Sequence, residues 1–165
     1  MSDAKQYGAG TIVGLSEALA RRLEEVVKDL RLPPQRDVSA PRVPTIIRGF
    51  PPTKRANGEA EQPFVIVCPA DGQVESYNEH RVRVGIVVGV FEEEDFAAGA
   101  DWLLVFAERI IQSLQEKPTL EKRYVLRHPI SWNIMFDQPY PLWQLEMMTE
   151  WVVQAPVILP DEGVV

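Results

Sequence analysis

The sequence predicts an α+β fold: an antiparallel β-sheet of about four strands, two helices packed on one of its faces, and a Pro-rich extended arm. Three observations carry this. Apolar residues recur at helical spacing near the N-terminus and again in the middle of the chain. Three other segments alternate apolar and polar with the period of a half-buried strand. Half of the fourteen prolines crowd into residues 33–63, between the first helix and the first strand. Runs of antiparallel strands with helices on one side make a two-layer α+β domain.

The first helix is predicted over about Thr11 to Leu32. Leu15, Leu19, Leu23, Val26, Val27 and Leu30 fall on one side of it, and Arg21, Arg22, Glu24, Glu25, Lys28 and Asp29 on the other. Thr11 or Ser16 is the candidate N-cap, Glu24 and Lys28 form a supportive i,i+4 pair, and Pro33-Pro34 ends the helix. Residues 1–32 are thus one element of the domain, and 33–62 form a basic, Pro-rich arm with Arg36, Arg42, Arg48, Lys54 and Arg55. So long a stretch without regular structure is unusual within a compact body. Its apolar island, Thr45 to Phe50, is expected to be a short strand or an anchor, the one docking point of the arm.

The α+β core is assigned to 63–155. Phe64 to Cys68 reads as a short strand, Asp71-Gly72 as a turn, and Glu75 to His80 as a polar loop. Arg81 to Phe91 reads as a central strand. Val82, Val84, Ile86, Val88 and Val90 face one side, and the back is partly covered. Gly85 and Gly89 mark bulges or close backbone approach. A second helix runs from about Phe96 or Ala97 to Glu116, with Trp102, Leu103, Phe106, Ile110, Ile111 and Leu114 inward, and Lys117-Pro118 after it. The acidic run Glu92 to Asp95 precedes this helix and complements its dipole. Tyr124 to Phe136 and Leu142 to Gln154 form a long antiparallel hairpin around Asp137-Gln-Pro-Tyr-Pro141. Tyr124, Leu126, His128, Ile130, Trp132, Ile134 and Phe136 are inward on one strand; Trp143, Leu145, Met147, Thr149, Trp151 and Val153 are inward on the other. Pro129 points to an edge or a bulge. Residues 156–165 read as a mobile tail.

Composition narrows the function. Of 165 residues, 45% are hydrophobic and 25% charged, the mix of a globular protein. No apolar run is long enough for a membrane helix, and the N-terminus lacks a signal-peptide layout, so the expected compartment is the cytosol. Net charge is −7 but unevenly placed: ten Lys/Arg face six Asp/Glu through Arg55, and seven face eighteen from Ala56 onward. An acidic chain is a poor general nucleic-acid binder, whereas a basic arm beside an acidic body favours head-to-tail contact between copies. The lone Cys68 excludes an internal disulfide and reads as a small buried hydrophobe.

No P-loop, dinucleotide fingerprint, Gly-x-Ser-x-Gly or His-Glu-x-x-His is present. His128 reads as a buried, satisfied histidine and His80 as a solvated one. The contiguous spacing of Glu92 to Asp95 does not match a calcium loop; helix capping and solvation explain it better. Three of the four tryptophans, Trp132, Trp143 and Trp151, read as core. Tyr140, stiffened between two prolines, is either an interface anchor or folded back on its own sheet. The expectation is a non-enzymatic protein without cofactor or metal.

The stretches Arg81-Val-Arg-Val-Gly-Ile-Val-Val-Gly-Val-Phe, Ala100-Asp-Trp-Leu-Leu-Val-Phe-Ala-Glu-Arg-Ile and, above all, Gln138-Pro-Tyr-Pro-Leu-Trp-Gln-Leu-Glu-Met-Met-Thr-Glu-Trp resemble small phage and prophage tail-completion proteins of the tail terminator group. The resemblance covers roughly residues 63–156. It implies an α+β subunit of a homo-oligomeric ring, typically a hexamer, in the neck region of the virion tail after assembly in the host cytoplasm. Such a ring caps the tail tube protein and offers a surface to the head-completion or connector protein, and DNA passes through it without specific binding. In that setting the candidate subunit interface is Arg36, Arg42, Ile46, Ile47, Arg48 and Phe50 of the arm together with Tyr140. Glu92, Glu93, Glu94 and Asp95 are the candidate acidic belt of the lumen, repelling DNA phosphates. The alternatives are a head-tail connector subunit, a host-side module that uses the arm as a peptide ligand, and a small enzyme built on His128.

Overall fold

The computed structural model describes residues 10–32, 41–49, 63–77 and 79–154. Helix α1, Ile12–Val27, begins where the Thr11 hydroxyl accepts a hydrogen bond from the Gly14 amide at 3.0 Å. Leu15, Ala18, Leu19, Leu23 and Val27 form its buried stripe. The helix stops five residues short of the predicted Leu32. Leu30 and Leu32 stay buried, but Leu32 exchanges two backbone hydrogen bonds with Arg42, so its amide and carbonyl are satisfied outside a helix. On the exposed face Lys28 pairs with Glu25 at 2.9 Å rather than with Glu24.

Six strands follow: β1 Thr45–Arg48, β2 Phe64–Ser76, β3 Glu79–Phe91, β4 Thr119–Leu120, β5 Tyr124–Asn133 and β6 Leu142–Gln154. Helix α2, Phe96–Glu116, lies between β3 and β4. The sheet order is β1-β2-β3-β6-β5-β4. The fold is α+β, but the four-stranded antiparallel sheet expected from sequence is replaced by a six-stranded mixed sheet curled into a half-barrel. The two added strands explain the difference. The apolar island of the arm is β1, which pairs parallel with β2 (Thr45 beside Phe64, Arg48 beside Val67). The two-residue β4 pairs with the start of β5 across a turn in which Glu121 and Lys122 have positive φ. Helix α1 touches both edge strands, β1 and β4, and α2 lies on β3 and β6, so the sheet wraps around the helices.

Strand β2 is longer than predicted. It runs through Asp71-Gly72, which is no turn but the partner of Arg83 and Val82 in β3. A register shift after Pro69 absorbs the misfit, and Asp71 and Arg83 form a cross-strand ion pair. The Arg83 guanidinium holds the Asp71 carboxyl below its ordinary pKa. Gly72 is needed because a Cβ there would lie 2.9 Å from the Arg81 carbonyl.

The core lies between sheet and helices: Val65, Val67, Val84, Ile86 and Val88 from β2 and β3, Leu145, Met147 and Trp151 from β6, and Leu103, Phe106 and Ile110 from α2. The inward positions read for β3 and β6 are those observed. Phe64 and Ile66 are buried on the opposite face of the sheet, across from Gly89 and Val87. Cys68 shares that face and is only half-buried; burial, and then the Glu146 carboxylate, push its thiol pKa up. On β5 the parity reading fails. Arg127 pairs with Glu150 and Ser131 with Met148, so three residues, 128–130, stand opposite one. This bulge lifts His128 into solvent, and Trp132, back in register beyond it, is 49% exposed instead of buried.

Candidate functional site at the hairpin end of the sheet

The end of the sheet where β3 leaves and β6 enters gathers two of the sequence-predicted features. Gln138 shapes the β5–β6 connection. Its side-chain amide donates to the carbonyls of Met135 (2.7 Å) and Gln144 (3.1 Å), and its oxygen accepts from the Gln144 amide (2.8 Å). The tip is thereby closed on itself, and the Glu92 amide donates to Pro141 O at 3.0 Å to tie it to the end of β3.

The aromatic residues of the tip then clasp the acidic loop. Tyr140 Oη donates to the Glu93 carbonyl at 2.5 Å, and Trp143 Nε1 donates to the Glu92 carbonyl at 2.9 Å. The first residue of α2, Phe96, stands against both rings, 5.1 Å from Tyr140 and 6.0 Å from Trp143 between centroids, the latter edge-on. Gly99, one turn into α2, provides the seat: a Cβ there would come within 2.5 Å of the Trp143 ring. Tyr140 is thus folded back on its own chain, one of the two readings of it, while half of it stays exposed.

The four acidic residues divide. Glu92 Oε1 accepts from the amides of Glu94 and Asp95, both at 3.1 Å. Asp95 is the N-cap of α2, accepting from Ala97 (2.9 Å) and Ala98 (3.2 Å). Glu93 and Glu94 are exposed. Two carboxylates therefore organise backbone, and two project into solvent beside the aromatic cluster. Among the described residues no group of three or more His, Cys, Asp or Glu is placed to hold a metal ion.

Beyond this clasp the tip presents apolar surface. Trp132, Met135 and Phe136 are exposed, Phe136 completely, and Phe96 is 63% exposed. Sequence parity assigned Trp132 and Phe136 to the core. What it could not register is that α2 reaches this end of the sheet over Trp143 and leaves Trp132, on the neighbouring strand, uncovered.

The arm residues lie elsewhere. Arg36 and Phe50 fall outside the described residues. Arg42 is half-buried and bridges to Leu32. Ile46 packs on the core, and Ile47 lies beside Ile66 on the other face. Arg48 reaches Ser16 Oγ at 3.2 Å and Glu17 at 3.8 Å, both in α1 of its own chain. These residues sit at the sheet edge opposite to the one formed by β5 and β4. No protein-family model matches the chain, and no curated protein matches it either.

Proposed function

We propose that this protein is a structural subunit that assembles with copies of itself into a ring, and that the ring is a phage tail terminator. It caps the tail tube, presents a face to the head-completion protein, and leaves a channel for DNA. The observation that carries the assembly reading is the exposed apolar tip, Trp132, Met135 and Phe136, held out on a hairpin that Gln138 braces. Clustered apolar side chains on a rigid projection are the mark of a contact surface. Support for the tail assignment comes from the Gln138 to Trp151 segment, whose resemblance to tail-completion proteins falls on the strand that carries this tip. Glu93 and Glu94 are exposed beside it and would give such a channel an acidic lining that repels DNA phosphates.

Negative-stain microscopy and native mass spectrometry of the purified chain, alone and with tail tube protein, test this. A six-membered ring is expected, and its addition should block further tube growth. A twelve-membered ring would move the assignment to a head-side connector. Monomers at every concentration, with no incorporation into tubes, would sink the proposal.

A further inference from the structure

We infer that the ring closes by strand addition, the open edge of β5 in one copy pairing antiparallel with β1 of the next, with Trp132 opposite Arg48. This rests on the ring reading above and names its seam.

The first ground is height. The cross-sheet ladder links Arg48 to Val67, Ile86, Met147 and Trp132 in turn, and Ile47 to Asn133 by the same route. Strand β1 and the last residues of β5 therefore occupy the same rows at opposite edges of one sheet. A rotation without a shift along the strands brings one beside the other, which is what a closed ring requires of a heterologous contact.

Direction and shape agree with this. Strand β1 runs parallel to β2, and each later step across β3, β6 and β5 is antiparallel, so β1 and β5 run in opposite senses. The edges are stepped. Among the described residues, β4 pairs with β5 only at Tyr124 and Val125, and β1 pairs with β2 only from Phe64 to Val67. Among the described residues, each edge is thus built out where the opposite edge is bare.

The outward-pointing backbone groups, unpaired among the described residues, also match. The amides of Thr45 and Gly49 donate to Pro63 and Val67 across β2, so the backbone of Ile46 and Arg48 points outward. On β5 the Leu126 amide donates outward, to Pro118. Leu126 pairs with Trp151 and Trp132 with Met147, four residues apart on β6, so Trp132 is of the same outward class. Antiparallel pairing then sets Trp132 against Arg48 and Ile134 against Ile46. Both members of the first pair lie on the helix-facing side of the sheet, which lays a guanidinium over an exposed indole. Charge agrees as well: β1 lies in the basic part of the chain, and Glu93, Glu94 and Asp137 flank the tip.

The test begins with rings located by native mass spectrometry. In the Cys68→Ser background, Ile46→Cys and Ile134→Cys are combined and oxidised with copper–phenanthroline. Paired neighbours about 5.5 Å apart are within disulfide reach. The expected result is a ladder of covalent multimers up to the ring number, with each single-cysteine variant remaining monomeric on the denaturing gel. Covalent dimers from a single-cysteine variant would show a two-fold contact and overturn the seam. In the unaltered protein, amide exchange at Ile46, Arg48 and Trp132 should slow at least tenfold on ring formation. Rings whose Trp132 and Arg48 amides exchange as in the monomer overturn the seam and leave the ring standing; the absence of any ring overturns both.

Discussion

Thr149 is completely buried in the middle of β6, and its hydroxyl works in both directions. It donates to the Val84 carbonyl on β3 and accepts from Trp151 Nε1, each at 2.8 Å. The alternation in β6 places Thr149 inward among apolar residues, and no sequence rule shows which groups it will meet. The structure supplies the answer: the largest side chain of the core, Trp151, carries a polar atom that needs a partner where there is no water. Replacing Thr149 with Val keeps the shape and strands that indole N–H. The expected loss is about 1–3 kcal/mol, the cost of a buried unsatisfied donor. Urea unfolding followed by tryptophan fluorescence reads it as a lower midpoint at unchanged slope. A change below about 0.5 kcal/mol would mean that the indole finds another acceptor.

The elements are joined at their ends as much as along their faces. Helix α2 starts on the Asp95 cap and stops where Arg22, from α1, donates to the carbonyls of Ser113 (3.2 Å) and Lys117 (2.9 Å). A cation at the C-terminus both satisfies carbonyls the helix leaves open and opposes its dipole. Arg109 to Asp29, at 2.8 Å, ties α2 to the turn that follows α1, exposed and correspondingly weak. The Arg22→Met variant keeps the aliphatic packing and removes the clamp. It should cost about 1–2 kcal/mol and speed amide exchange in the last turn of α2 while leaving the first turn unchanged. Equal exchange at both ends would show that Arg22 acts on global stability alone. The bounds of α2 were legible in the sequence, because its start and stop are local chemistry: Asp95 before the apolar stripe and Lys117-Pro118 after it. Strand β4 was not legible. Its turn uses Glu121 and Lys122 at positive φ in place of the Asn-Gly type of pair that signals such turns. Asp71-Gly72 failed in the opposite sense, a turn-like pair held in a strand by Arg83. The β5 bulge escaped because nothing local counts residues on the partner strand.

At the scale of the whole molecule, the two hairpin ends of the half-barrel carry different side chains. The β2–β3 end combines half-buried ion pairs, such as Arg81 with Glu79 at 3.0 Å, with exposed Val74 and Tyr77. The β5–β6 end carries exposed apolar side chains that have no such role. Sequence patterning gave Trp132 the right strand and the wrong environment, since burial here depends on how far the helices reach, a property of the assembled fold; the same patterning ran the strand on to Phe136, beyond the end of β5 at Asn133. Phe136 is fully exposed and Met135 is 55% exposed, so neither contributes appreciably to the folded monomer. The double variant Met135→Ser with Phe136→Ser should therefore leave urea stability within about 0.5 kcal/mol of the parent, as for surface changes away from structural features. If the tip is the contact surface, the same variant should weaken self-association at least tenfold, which sedimentation velocity across a concentration series will read directly. Unchanged association would remove the tip from the interface. Lost stability together with lost association would place these side chains in the monomer fold and leave the apolar tip without a separate purpose.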